Sequence, residues 1–213
     1  MANKKLRIGT LASVLSVSML LACGGGGGGG DDTPTSNTAV AAGSSTDKAP
    51  ATAALPFSAD RADPGALSCG LNQPAGIETE LLARVNQLRS EGATCGATQY
   101  GPATPLTWNT ELLNAAAGHS ADMAQNNYFS HISRDGRTPP QRLVAANYNY
   151  ASMGENIAAG QPTVEAAVNA WLTSPDHCKN MMNPVFREVA VACVANPGST
   201  FGRYWSMELG RKF

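Results

Sequence analysis

Trp171-Leu172-Thr173-Ser174-Pro175-Asp176-His177, followed by Asn180-Met181-Met182, is the stretch on which the reading of the fold turns. It closes a segment that Thr163 opens as a helix cap, and Pro175 stops that segment, so a helix is predicted from Thr163 to about Thr173. Three other short groups lie upstream in order: Pro105-Leu106-Thr107-Trp108-Asn109, Tyr128-Phe129-Ser130-His131 and Gly154-Glu155-Asn156-Ile157-Ala158. No internal repeat is evident among them.

Periodicity places more elements around these groups. Ile77, Leu81, Leu82, Val85 and Leu88 fall on one helical face over Ile77 to Ser90, and Gly92 and Gly96 end that helix. Asn109 or Thr110 caps a second helix that runs to about Asn126, with Leu112, Leu113, Ala116 and Met123 as its apolar set. Thr138-Pro139-Pro140 reads as a helix start leading into Gln141 to Ala146, since proline is tolerated in a first turn. Val189 to Val194 and Arg203 to Leu209 read as strands from their β-branched and aromatic content. Helices interleaved with a few strands indicate an α/β layered domain.

Taken in register, the four groups resemble the CAP superfamily of cysteine-rich secretory proteins, antigen 5 and plant pathogenesis-related proteins, and within it the bacterial SCP-like branch. The resemblance covers about residues 77–213. It implies an α-β-α sandwich, with a central, mainly antiparallel sheet between helix layers, and a cleft lined by two histidines and two acidic residues. Carried over residue by residue, it makes His131 and His177 the cleft histidines and Glu155 the first acid. The position of the second acid is Ser174, and a hydroxyl is a poor substitute for a carboxylate ligand. Two neutral imidazoles and one carboxylate suit zinc, so weak zinc binding at His131, Glu155 and His177 is expected. The same trio could perform acid/base work near neutral pH. Glu155-Asn156 also has a structural reading, in which it bonds backbone groups and holds a bend at Gly154.

Read without the resemblance, the three histidines of the chain show no compact metal spacing. His119 has Asp122 three residues on, which reads as a helix-surface contact. Trp108, Trp171 and Trp205 lie in or beside predicted elements and read as core.

The N-terminus addresses the chain for export. Lys4, Lys5 and Arg7 precede an apolar run from Ile8 to Leu21, too short to span a membrane and suited to a signal peptide over residues 1–22. Leu20-Leu21-Ala22-Cys23 resembles the lipobox of bacterial lipoproteins, which makes Cys23 the lipid attachment site and the acyl group the membrane partner. Gly24 in place of an aspartate suggests the outer membrane of a Gram-negative envelope. Residues 23–76 are expected to be a flexible tether: Gly24 to Gly30 is unbroken glycine, and Asp31 to Leu67 is poor in large apolar residues. Cys69 is expected to open the folded part.

Five cysteines are present, and lipidation of Cys23 leaves Cys69, Cys95, Cys178 and Cys193. In an oxidising compartment they read as two disulfides with three possible pairings. The local pairing, Cys69 with Cys95 and Cys178 with Cys193, is favoured because each bridge closes a short loop. No CxxC pair supports a zinc site instead.

Charge excludes some functions. Fifteen basic and 16 acidic residues give a net charge of -1, which leaves no clustered basic footprint for nucleic acid or anionic lipid. There is no HExxH helix and no GxSxG elbow, and Ser130 beside His131 is not a triad geometry. Three classes remain: a binding or interaction module for a lipid, glycan or protein; a metal-dependent hydrolase; and a structural envelope protein with a vestigial cleft. The sequence favours the first, and an enzyme is not the preferred reading.

Overall fold

The computed structural model describes residues 68–70 and 76–213. The signal peptide expected at 1–22, the lipidation site Cys23 and most of the 23–76 tether lie outside the described residues. The first helix, α1 (Gly76–Glu91), buries Leu81, Val85, Leu88 and Arg89, the spacing of a single face. Gly92 (φ +80) ends it, and a Cβ there would meet the Tyr100 carbonyl oxygen at 2.7 Å. The chain then forms an antiparallel hairpin, β1 (Ala93–Cys95) and β2 (Thr98–Tyr100), with Gly96 (φ +60) in its turn. This hairpin was not expected; Gly96 serves it rather than the helix end.

A short strand, β3 (Thr107–Trp108), leads into α2 (Thr110–Gln125), where the Asn109 side chain caps the Leu112 amide at 3.0 Å. After a loop comes α3 (Pro139–Ala145), entered through its prolines as anticipated. Next are β4 (Tyr150–Ala159) and α4 (Val164–Thr173), which Thr163 caps at the Ala166 amide. Then follow α5 (Pro175–Met182), β5 (Glu188–Ala195) and β6 (Arg203–Lys212). Two elements depart from the sequence expectation. Pro175 does not merely stop α4; it is also the first residue of α5, where its missing N–H costs nothing. Gly154-Glu155-Asn156 is no bend but part of a regular ten-residue strand.

The main sheet has the order β3-β5-β6-β4, antiparallel except between β3 and β5. One face carries Val189, Val191, Cys193, Trp205, Met207 and Leu209, and these pack with α1, α4 and α5 into the larger core. The other face carries Ala190, Ala192, Tyr204, Ser206 and Glu208 and lies under α2. Helices therefore cover both faces, and the fold is the expected α-β-α sandwich. Trp171 and Trp205 are core residues; Trp108 packs only partly against the core.

The disulfide pairing corrects the sequence reading. Cys69 bonds to Cys193 and Cys95 bonds to Cys178, closing loops with separations of 124 and 83 residues rather than the short local ones favoured above. Proximity here is set by the sheet and by the packing of β1 against α5, neither of which sequence spacing encodes. Ser68 forms a parallel bridge to Cys193, and the Cys69 amide donates to the Cys193 carbonyl at 3.0 Å. Residues 68–70 thus dock on β5, within the stretch expected to be tether.

Candidate functional site

The site grows from β4. Alternation sends Glu155 to the α2 side of the sheet and Asn156 to the opposite side. Asn156 donates to the His177 carbonyl at 3.0 Å and accepts from Asn180 at 2.9 Å, which fixes the first turn of α5 against the strand. Gly154 permits this contact, because a Cβ there would stand 3.0 Å from the Phe186 ring.

Glu155 is almost fully buried and both of its oxygens are engaged. Oε1 accepts from His131 Nδ1 at 2.6 Å and Oε2 accepts from Arg142 Nη2 at 2.5 Å. Across the strand pair its register partner is Glu208, which is wholly buried. Burial, followed by the negative charge of Glu155, pushes the Glu208 carboxyl well above the usual range. The Glu208 carboxyl faces Glu155 across the strand pair, and neither of its buried oxygens meets another hydrogen-bond partner among the described residues. For Glu155, burial alone would raise the pKa. The hydrogen bonds from His131 and Glu208 and the charge of Arg142 outweigh burial and bring it down to about 2.

His131 stands half exposed on the loop between α2 and α3, and its ring centroid lies 6.4 Å from that of His177 on α5. Burial, and then the neighbouring His131, lower the pKa of His177, with Asp176 acting in the opposite direction. His131 thus lies beside both Glu155 and His177, although the three are distant in sequence. Ser174 caps α5 from the same side, but its hydroxyl bonds none of the helix amides. Glu165 and Asp176 are both exposed.

The expected zinc set does not fit this arrangement. Glu155, its side chain only 2% exposed, turns both oxygens to His131 and Arg142 rather than to an open position. Among the described residues, no three His, Cys, Asp or Glu side chains are grouped so that they could hold a metal ion.

Beside His177 the cleft opens into an apolar groove of about 360 Å³, walled by Ile157, Trp171, Ser174, Phe129 and Phe201. The Phe129 and Phe201 rings lie 5.8 Å apart and are each nearly half exposed (44% and 45%), which is unusual for adjacent aromatics on a surface.

Three residues of this site escaped the sequence reading. His119 is no surface contact; it is completely buried, and Asp122 instead accepts from the Tyr128 hydroxyl. Arg142 and Glu208 carried no motif. The alternation of Tyr204, Ser206 and Glu208 along β6 was the available signal for the second.

Residues 82–209 match the cysteine-rich secretory protein family, CAP, and the chain belongs to that family. It is 36% identical over 104 residues to the uncharacterized protein YkwD of Bacillus subtilis, a match that covers 49% of this chain and 38% of YkwD. It also resembles the solved structure of an extracellular SCP-domain protein from Bacillus anthracis, with 29% identity and a TM-score of 0.52, over 64% of this chain and 40% of the other. An outer surface protein of Borrelia burgdorferi shares the fold at 20% identity and a TM-score of 0.53, over 64% of this chain and 93% of that one. The chain thus spans less than half the length of YkwD and of the Bacillus anthracis protein.

Proposed function

We propose that this chain is an exported, lipid-anchored protein of the bacterial envelope whose CAP domain is a binding module, holding a lipid, a glycan or a segment of another protein in the cleft and its groove. The observation that carries this reading is the groove itself. An open cavity of about 360 Å³ combines two half-exposed phenylalanines with an imidazole and an uncommitted hydroxyl, the mixture of apolar wall and few polar groups that binding sites show. Export is supported by the lipobox-like Leu20-Leu21-Ala22-Cys23, by the cystines and by likeness to an extracellular SCP-domain protein. A hydrolytic role has less support, since among the described residues no three His, Cys, Asp or Glu side chains are grouped to hold a metal ion.

The test is mass spectrometry of organic and aqueous extracts of natively purified full-length protein, beside a Phe129→Ser, Phe201→Ser double variant. A molecule that co-purifies with the wild type and is lost from the variant is the expected result. Extracts that do not differ between the two would refute binding at the groove. For the anchor, Cys23→Ser should move the protein from the detergent phase to the aqueous phase. Retention in the detergent phase would overturn lipidation as the means of anchoring.

A further inference from the structure

We infer that His119 and Arg142 are positioning residues for His131 beside the groove, which hold the loop 130–133 from beneath and thereby fix its ring with Nδ1 on Glu155 and Nε2 without a protein partner. The inference deepens the binding reading and rests on it only for what the cleft is used for.

The bonds form one continuous chain. His119 Nε2 lies 2.9 Å from the Ser130 carbonyl oxygen. A carbonyl can only accept, so Nε2 carries the proton and Nδ1 is bare. That bare nitrogen faces the Ser133 hydroxyl at 3.5 Å, and the same hydroxyl oxygen accepts from Arg142 Nη1 at 3.0 Å. Arg142 Nη1 also donates to the carbonyls of His131 and Arg137, at 3.0 and 3.1 Å. Its other terminal nitrogen donates to Glu155. Two consecutive peptide oxygens, those of Ser130 and His131, are thus gripped by side chains from two helices, α2 and α3. His119 is fully buried and Arg142 is 4% exposed, so water does not compete for these bonds.

The consequence falls on a side chain that the clamps do not touch. The His131 ring is 46% exposed and bonds to the protein at Nδ1 alone, through Glu155. An exposed imidazole on an unclamped loop would exchange tautomers freely. With its backbone held at both adjoining carbonyls, its Nδ1–H stays directed at Glu155 and Nε2 is left as a lone-pair acceptor with no protein partner. Burial holds the His119 pKa down at about 4, so the clamp persists through the neutral range.

The chain has three histidines, so isotope-labelled histidine in the full-length protein allows each ring to be read by nitrogen NMR. At about pH 8, where a free imidazole is neutral, the wild type should show His131 as a single Nδ1–H tautomer and His119 as a single Nε2–H tautomer. His119→Phe should convert His131 to a mixture of tautomers and leave His177 as it was. His119→Gln, whose amide N–H can replace the bond to Ser130, should restore the single form. Arg142→Lys, which keeps the charge but not the fork, should give a partial mixture. A folded His119→Phe protein with His131 unchanged would overturn the inference, leaving His119 as packing only. Should His119→Phe not fold, Ser133→Ala decides, since it deletes only the linking hydroxyl: a smaller shift of His131 in the same direction supports the clamp, and none overturns it. The readout needs no ligand, so its failure is distinct from a failure of the binding reading.

Discussion

The two faces of the sheet are built from the same strands and do opposite work. Toward α1, α4 and α5, residues 189, 191, 193, 205, 207 and 209 present valine, cysteine, tryptophan, methionine and leucine. Toward α2, residues 190, 192, 204, 206 and 208 present alanine, tyrosine, serine and glutamate, and α2 answers with Ala115, Ala116, Ala117, Ala121 and Ala124. Small residues let helix and sheet approach closely, and the Ser120 hydroxyl even reaches the Ala192 carbonyl at 3.1 Å. The volume released by small side chains on this face is occupied by His119, Arg142, Glu155 and Glu208, which are buried polar groups that specify one geometry. One face supplies cohesion, and the other supplies the exact placement of the cleft.

That contrast is most severely tested by Trp205, which is wholly buried on the apolar face and whose indole N–H donates to the Gln161 carbonyl at 3.0 Å. Trp205→Ala should cost about 4 kcal/mol in denaturant unfolding. A loss under about 1 kcal/mol would mean that the apolar face does not dominate stability.

The polar face should announce itself through pH. Burial lowers the His119 pKa to about 4 from an ordinary 6.5, so the native state resists a proton that the unfolded chain accepts. Stability is full above the unfolded value and declines as pH falls from 6.5 toward 4, by about 3 kcal/mol. Glu155 acts lower on the scale: its contribution is present above the ordinary 4.5 and is lost as pH falls through about 2. Glu208 has the opposite sign. Its raised pKa gives stability that is full below 4.5 and is lost as pH rises through the native value, so Glu208→Gln should be more stable than the wild type in the alkaline limb. Unfolding midpoints across pH for the wild type, His119→Gln and Glu208→Gln would check all three slopes. An acid limb unchanged in His119→Gln would remove His119 as its source.

The smallest effect separates two caps at adjoining helices. Thr163 bonds the Ala166 amide at 3.1 Å, whereas the Ser174 side chain bonds no amide of α5. Thr163→Ala should therefore cost about 1 kcal/mol and Ser174→Ala under about 0.5 kcal/mol. Equal losses in thermal unfolding would show that Ser174 is structural rather than free for a ligand.

How much of this was legible in sequence depended on which face an element served. Helices α1, α2 and α4 and strands β5 and β6 announce themselves because a large apolar set recurs at the right period. Strand β4 did not, because Gly154, Glu155 and Asn156 have low strand propensity and owe their conformation to β6, Asn180 and Phe186. The cleft trio was legible only through resemblance to a family. Arg142 and Glu208 were not legible, since a buried charge has no signal until its partner is located, and its partner lies on another element. The cystines failed for the same reason: spacing along the chain says nothing of which strands a sheet will juxtapose.

The Cys69–Cys193 bond and the Ser68 bridge also settle how the domain would carry load. A pull applied to the chain ahead of residue 68 enters through a covalent link at β5, in the interior of the four-stranded sheet, and bypasses α1. Tension is then borne in shear by the ladders of β5 with its neighbours instead of peeling the first helix away. Reduction of that single bond would reroute the same force into α1 and turn a mechanically resistant attachment into one that unravels from its end.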